Sequence, residues 1–272
     1  MTSVNLWLRR RAVAVLVALA TVTSGACGIS TQQEVEMGAQ YANEINRQLP
    51  ILGDAAVNRY INELGRGIAR NGNRQLSYTF YVVNASQINA FAVPGGYVYV
   101  NRGLIERTRN MPELAGVLAH EIAHVEERHG VEQMEKVQGA NLGLTLAYVL
   151  LGRQPSGAEQ AAIGLGGNLV FAQHSRDAEN DADARAVPLL VASGISPAGL
   201  TSFFHVLLSD QRQRPSTVQQ WFSTHPLTED RIRQTEALVN RVPAAQLRGL
   251  RTTDSGYNTM KSRLARLPKP RT

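Results

Sequence analysis

His120-Glu121-Ile122-Ala123-His124 places two histidines four residues apart, with a glutamate directly after the first. On an α-helix, residues i and i+4 share a face. Both imidazoles can therefore reach one ion at the roughly 2.0–2.1 Å that a zinc–nitrogen bond requires. Glu121 projects from a neighbouring azimuth, where it can act on water beside the ion without ligating it, the arrangement of a zinc hydrolase. The preceding run supplies the helix: Pro112 near its start, Glu113 in the first turn, and an apolar stretch through Ala119. With six histidines among 272 residues, chance alone would give this five-residue pattern in about one chain in a hundred, so a second signal is needed.

The second signal is the acidic stretch Ser175-Arg176-Asp177-Ala178-Glu179-Asn180-Asp181-Ala182-Asp183. Two histidines leave a third protein ligand to find, and a carboxylate from a separate helix is a common solution. Glu179 and Asp183 are spaced i, i+4, so one can bind metal while the other stands behind it. Alone, the stretch could equally be a solvated helix start whose acids favour the helix dipole.

Together, His120, His124 and Ser175-Arg176-x-x-Glu179-x-x-Ala182-Asp183 resemble the gluzincin family that contains the CAAX prenyl protease, HtpX and periplasmic protein-quality-control proteases. Two further segments match it in order: Asn89-Ala90-Phe91-Ala92-Val93-Pro94-Gly95-Gly96 ahead of the metal helix, and Ser223-Thr224-His225-Pro226 with Glu229, Arg231 and Ile232 after it. The resemblance implies a zinc endopeptidase holding one Zn²⁺ per chain on His120, His124 and Glu179. Glu121 is then the base that takes a proton from water and returns it to the leaving amine. Asp183 orients a ligand histidine or assists proton transfer. His225 either donates to the oxyanion on the scissile carbonyl or swings onto the metal and keeps the enzyme latent. Asn89, Ala90 and Phe91 supply an edge strand on which an extended peptide lies by strand addition, unless that strand is an interior one with a tight turn. The remaining histidines are weaker candidates. His129, five residues after His124, falls about 140° away around a continuous helix and reads as structural. His174 and His205 read as packed or surface residues.

Residues 1–26 read as an export signal, with Arg9, Arg10 and Arg11 ahead of an apolar core from Ala12 to Val22 that is too short to span a bilayer comfortably. The one cysteine, Cys27, directly follows it, and one cysteine makes no intramolecular disulfide. The functional reading is a lipoprotein, cleaved before Cys27 and acylated there, although Ser24 stands where such signals usually carry Leu. An ordinary signal cut near Ala26, leaving a free thiol, is the alternative. Lipidation would place the chain on the periplasmic face of a bacterial envelope, and Gly28 rather than Asp after Cys27 leans toward the outer membrane. Loss of the signal lowers the formal charge from +6 by three, to +3. Much of the remaining excess lies in 251–272, which reads as a basic, partly disordered tail, with contact to anionic lipid as a weaker reading. No recognition motif points to nucleic acid.

The roughly 246 residues after the signal suffice for one metallopeptidase domain, placed at 27–250. Helical periodicity runs from about Gln33 to Gln48 and from Asp54 to Ala69. Leu76–Val83, Asn89–Val93 and Tyr97–Val100 read as strands, the last two joined by the Pro94-Gly95-Gly96 turn. Nearly everything from Arg102 onward reads as helix. The expected fold is α+β and mostly helical: a small β-sheet packed against a helical bundle, with the metal helix between them. The glycine-rich 139–170 segment reads as closely packed helices or a hinge. No tandem repeat is present, so no helical repeat arm is expected. As substrates, unfolded or misassembled envelope proteins fit the resemblance. An envelope chaperone or assembly factor with a largely latent protease site is the second reading. Glu121 favours catalysis, because a binding module has no use for a base beside the metal. The peptide-edge strand disfavours a hydrolase of small molecules.

Overall fold

The protein is described by a computed structural model, covering residues 28–136 and 174–270. Cys27, the export signal and the glycine-rich segment lie outside the described residues. The first helix, α1 (Thr31–Gln48), and the second, α2 (Ala55–Ala69), follow the expected periodicity. Asp54 caps α2 by accepting hydrogen bonds from the Ala56 and Val57 amides, the role that short acidic side chains fill at helix starts.

Three strands follow: β1 (Thr79–Val83), β2 (Ala90–Val93) and β3 (Tyr97–Asn101). The sheet order is β1-β3-β2, which leaves β2 at an edge. β1 runs parallel to β3 with Thr79 opposite Tyr97, and β2 runs antiparallel to it with Ala90 opposite Val100. Gly95 and Gly96 close the β2–β3 turn at φ +82° and +94°, a backbone region that side-chain-bearing residues rarely adopt. Strand alternation sorts the side chains between two apolar layers. Phe80, Val82, Ala90, Val98 and Val100 join the main core, while Val83, Phe91, Val93 and Tyr99 pack with Ile45 of α1. The sheet is therefore covered on both faces, by α1 on one side and by the helical core on the other.

After the short α3 (Arg102–Arg107) comes α4 (Met111–Glu126), which carries the paired histidines. Asn110 caps it through the Glu113 amide, and the Glu113 carboxylate reaches back to the Arg109 amide at 2.7 Å. These reciprocal bonds satisfy donors that a helix start leaves open. Every residue of α4 is buried. A solvent-facing stripe is absent because β2, β3 and two later helices, α6 (Arg176–Ala192) and α7 (Ala198–Gln213), pack around it. The close approach to α7 needs glycine: a Cβ on Gly199 would lie 2.2 Å from the Pro112 carbonyl carbon. Between α4 and α6, residues 129–136 form α5. Beyond α7 lie α8 (Pro215–Thr224), α9 (Glu229–Arg241), α10 (Ala244–Leu247) and α11 (Ser255–Arg266). The architecture is the expected small sheet against a helical bundle.

The basic end differs from expectation. Instead of a partly disordered tail, residues 255–266 form α11, with Tyr257, Met260 and Leu264 buried. Its charges are used structurally. Fully buried Arg102 donates to the carbonyls of Leu264 and Leu267 at 2.8 and 3.1 Å, and Lys261 donates to the carbonyls of Ile105, Glu106 and Thr108 at the end of α3. Cationic donors at open helix carbonyls are favourable. Among the described residues no helix is long and apolar enough to cross a membrane.

Candidate metal centre

Two helices and the end of a third aim their side chains at one point. His120 and His124 come from one face of α4, and their Nε2 atoms are 3.0 Å apart. Glu179 comes from the first turn of α6, whose start is fixed by Ser175 accepting from the Ala178 amide. Its carboxylate lies 3.6 Å from His120 Nε2 and 3.4 Å from His124 Nε2. His225 follows α8 and brings Nδ1 to 3.0 Å from Glu179 Oε1. These four residues are buried and each offers a donor atom within 4.8 Å of the others. Donors about 3.4 Å apart are what a tetrahedral ion with bonds of about 2.0–2.1 Å needs.

The residues fit a metal on a second ground. Among the described residues, both carboxylate oxygens of Glu121 and the Nε2 of His225 are buried without a hydrogen-bond partner, and they face each other at 3.5 Å. Buried polar groups are normally paired. Here they border the point on which the four donors converge, where an ion and its water would satisfy them.

Asp183 sits one helical turn beyond Glu179 and holds the far side of His120, with Oδ1 2.9 Å from Nδ1. It is itself gripped by Arg231 from the first turn of α9, through Nε at 2.7 Å and Nη2 at 2.9 Å, and by the Thr235 hydroxyl at 2.9 Å. Arg231 also contacts Glu179 Oε2 through Nη1, donates to the Pro226 carbonyl and lies over the Phe204 ring. One buried guanidinium thus steadies a carboxylate in the donor group and the carboxylate behind a histidine. In the sequence Arg231 stands out only as part of a matching segment; the signal for more is its closeness to His225-Pro226 and to Thr228, which caps α9 through the Arg231 amide.

Charge states follow the surroundings. Burial pushes the Glu121 carboxyl above its ordinary range. Burial opposes ionisation of Asp183 and Glu179 too, yet Arg231 holds Asp183 low, and His225 and Arg231 hold Glu179 well below the ordinary range. Burial disfavours the charged form of His120, but hydrogen bonds to Asp183 and Glu179 outweigh it and push it up to about 9. Burial, with His174 nearby, drives His124 well down.

The other predicted residues are placed as follows. Asn89 is buried, its Oδ1 has no partner among the described residues, and its carbonyl accepts from the Asn101 amide. Ala90 is fully buried, and the Phe91 ring stacks on Tyr99 at 4.8 Å. His205 is on the surface, paired with Glu236 at 2.8 Å. His129 and His174 are not remote: His174 stacks on His124 with ring centroids 4.0 Å apart, and His129 Nδ1 is 2.9 Å from His124 Nδ1. The 140° separation assumed a continuous helix. Instead α4 ends at Glu126, Arg128 takes φ +60°, and α5 starts at residue 129.

Two histidines and a glutamate around one point, with a carboxylate beside them that makes no hydrogen bond among the described residues, fit the centre of a metallopeptidase of the gluzincin kind. The chain belongs to peptidase family M48, whose model matches residues 54–239. It is similar to the beta-barrel assembly-enhancing protease of Yersinia pestis, 33% identical over 230 residues, covering 81% of this chain and 46% of that one. Metalloprotease LoiP of Escherichia coli (strain K12) is 28% identical over 245 residues, covering 82% of this chain and 94% of the relative. Metalloprotease YcaL of the same organism is 30% identical over 202 residues, covering 73% and 72%. The chain spans about half the length of the beta-barrel assembly-enhancing proteases it matches.

Asp183→Asn keeps the shape of the side chain but removes the anion facing His120. It should weaken metal binding by about 10–100-fold, read by chelator competition. Unchanged affinity would mean that the Asp183–His120 contact does not support the metal.

Proposed function

We propose that the protein is a zinc-dependent endopeptidase that cleaves misfolded or misassembled cell-envelope proteins. The observation that carries this reading is Glu121: a buried carboxylate beside the four donors, with neither oxygen hydrogen-bonded among the described residues. A carboxylate left unpaired in a protein interior is costly, and its persistence is explained by a reaction that needs a base there. Similarity to relatives named as proteases supports the same class.

His120, His124 and Glu179 would hold the ion. A bound zinc ion supplies Lewis acidity, bringing the pKa of water toward about 7 and polarising a carbonyl. Glu121 then takes the proton from the attacking water, its raised pKa making it the stronger base for that first transfer, and hands it to the departing amine. Asp183 keeps His120 aimed and in one tautomer through its Nδ1 contact. An extended substrate would lie along β2, at residues Asn89, Ala90 and Phe91, through main-chain bonds. Because the Phe91 side chain is packed on Tyr99, its contribution falls to the backbone. The proposed organisation is an export signal at 1–26, the peptidase domain at 27–250 and a basic C-terminal segment after it. The enzyme would work at the periplasmic face of the envelope, anchored by lipid on Cys27, at the outer membrane where one exists. The barrel-assembly relatives motivate envelope proteins as the substrate class.

A second reading has its own support. His225 is one of the four convergent donors, so it can close the site as a fourth ligand and leave the protease latent, with chaperone or assembly work predominating. As an oxyanion donor instead, it would act only in the transition state.

Glu121→Gln should retain zinc while cleavage of a denatured protein such as casein falls by a factor of about 10² or more. Wild-type turnover in that variant, with contaminating proteases excluded, would remove Glu121 as the base. His225→Ala separates the two roles by sign. Faster cleavage and self-cleavage identify a latch, whereas a fall of about 10²–10³ identifies an oxyanion donor. An unchanged rate removes His225 from the chemistry.

A further inference from the structure

His120 and His124 present their Nε2 atoms to the same point, yet only His120 has a carboxylate behind it. Behind His124 stands another histidine, His129, with the two Nδ1 atoms 2.9 Å apart. A histidine that binds metal through Nε2 carries its proton on Nδ1 and donates it to an acceptor in the surrounding protein. In this pair His124 Nδ1 is therefore the donor and His129 Nδ1 the acceptor, which leaves the His129 proton on Nε2.

The backbone is bent to bring His129 there. On a continuation of α4 it would point about 140° away from His124. Instead Arg128 adopts φ +60°, a conformation that a side-chain-bearing residue takes up only when its surroundings enforce it. The enforcing group is Glu34, a fully buried carboxylate in the first turn of α1. It takes Arg128 Nη1 at 2.9 Å, Arg74 Nη1 and Nη2 at 2.9 and 2.7 Å, and the Gly95 amide at 3.3 Å. His129 is only 6% exposed, so its ring is confined, and His174 covers the face of His124 that His129 does not bound at its edge. A bend clamped by a buried ion pair, ending on a histidine nitrogen in contact with a ligand histidine, has a purpose beyond filling the core.

We propose that His129 is the positioning residue for His124, fixing the tautomer and the angle of that ligand as Asp183 does for His120; this rests on the reading of His124 as a metal ligand. The full chain is loaded with zinc or cobalt, and metal affinity is measured by chelator competition for the parent, His124→Ala, His129→Leu and His129→Asn. His129→Leu removes the acceptor and should weaken metal binding by about 10–100-fold, with a shifted cobalt absorption spectrum. His129→Asn carries Oδ1 where Nδ1 was and should recover most of the affinity and the parental spectrum, a rescue that a merely space-filling role does not give. Parental affinity and spectrum in His129→Leu, alongside metal loss in His124→Ala, would overturn the proposal while leaving the metal site intact. Retention of metal by His124→Ala would instead overturn the ligand reading on which it stands. If His129→Leu does not fold, nitrogen NMR of the zinc-loaded parent decides. A proton on His124 Nδ1 and on His129 Nε2 is expected, and a proton on His129 Nδ1 would refute the proposal.

Discussion

Three carboxylates, Glu121, Glu179 and Asp183, and one guanidinium, Arg231, are buried within reach of one another. Counted by themselves, these four groups leave the centre with two uncompensated negative charges. Uncompensated charge in a protein interior costs several kcal/mol for each ion, so something must supply the difference. A divalent cation among the four donors does so in one step. Without it, burial raises Glu121 and hydrogen bonds to Asp183 and Glu179 raise His120, the direction in which bound protons lessen the negative charge.

The rest of the fold makes such a centre possible by removing water and fixing angles. α4 is buried along its whole length, so its histidines cannot relax into solvent. Strands β2 and β3 support one side, while α6 and α7 close the other. α6 contributes Glu179 and Asp183 at i, i+4, and α9 contributes Arg231, which touches both carboxylates. A donor group assembled from α4, α6 and the end of α8 is only as exact as the packing between those helices. That places glycines such as Gly199, directly against Pro112, among the determinants of the site.

What could be read in the sequence was local. The i, i+4 histidine pair, the helix start at Pro112 and Glu113, the alternation in β1 and the diglycine turn each depend on residues within a few positions. What could not be read depends on distant partners. Residues 127 and 128 are Glu and Arg, neither of which announces a helix end, and the bend is imposed by Glu34 from far upstream. The depth of Arg231 is likewise set by Asp183 and Glu179 rather than by its neighbours, which look like a solvated helix start. The basic end carried a visible signal that its charge obscured. Tyr257, Met260 and Leu264 recur at helical spacing, and the surrounding cations serve as donors to carbonyls rather than as a solvated patch.

The proposed zinc site draws nitrogen and oxygen donors from His120, His124 and Glu179. X-ray absorption at the zinc edge of the purified, zinc-loaded protein tests it, because the immediate coordination shell is read without reference to activity. One zinc per chain is expected, bound at about 2.0–2.1 Å by nitrogen and oxygen, with the multiple-scattering signature of at least two imidazoles and no sulfur. A shell containing sulfur, or one of oxygen alone without imidazole, would rule the site out.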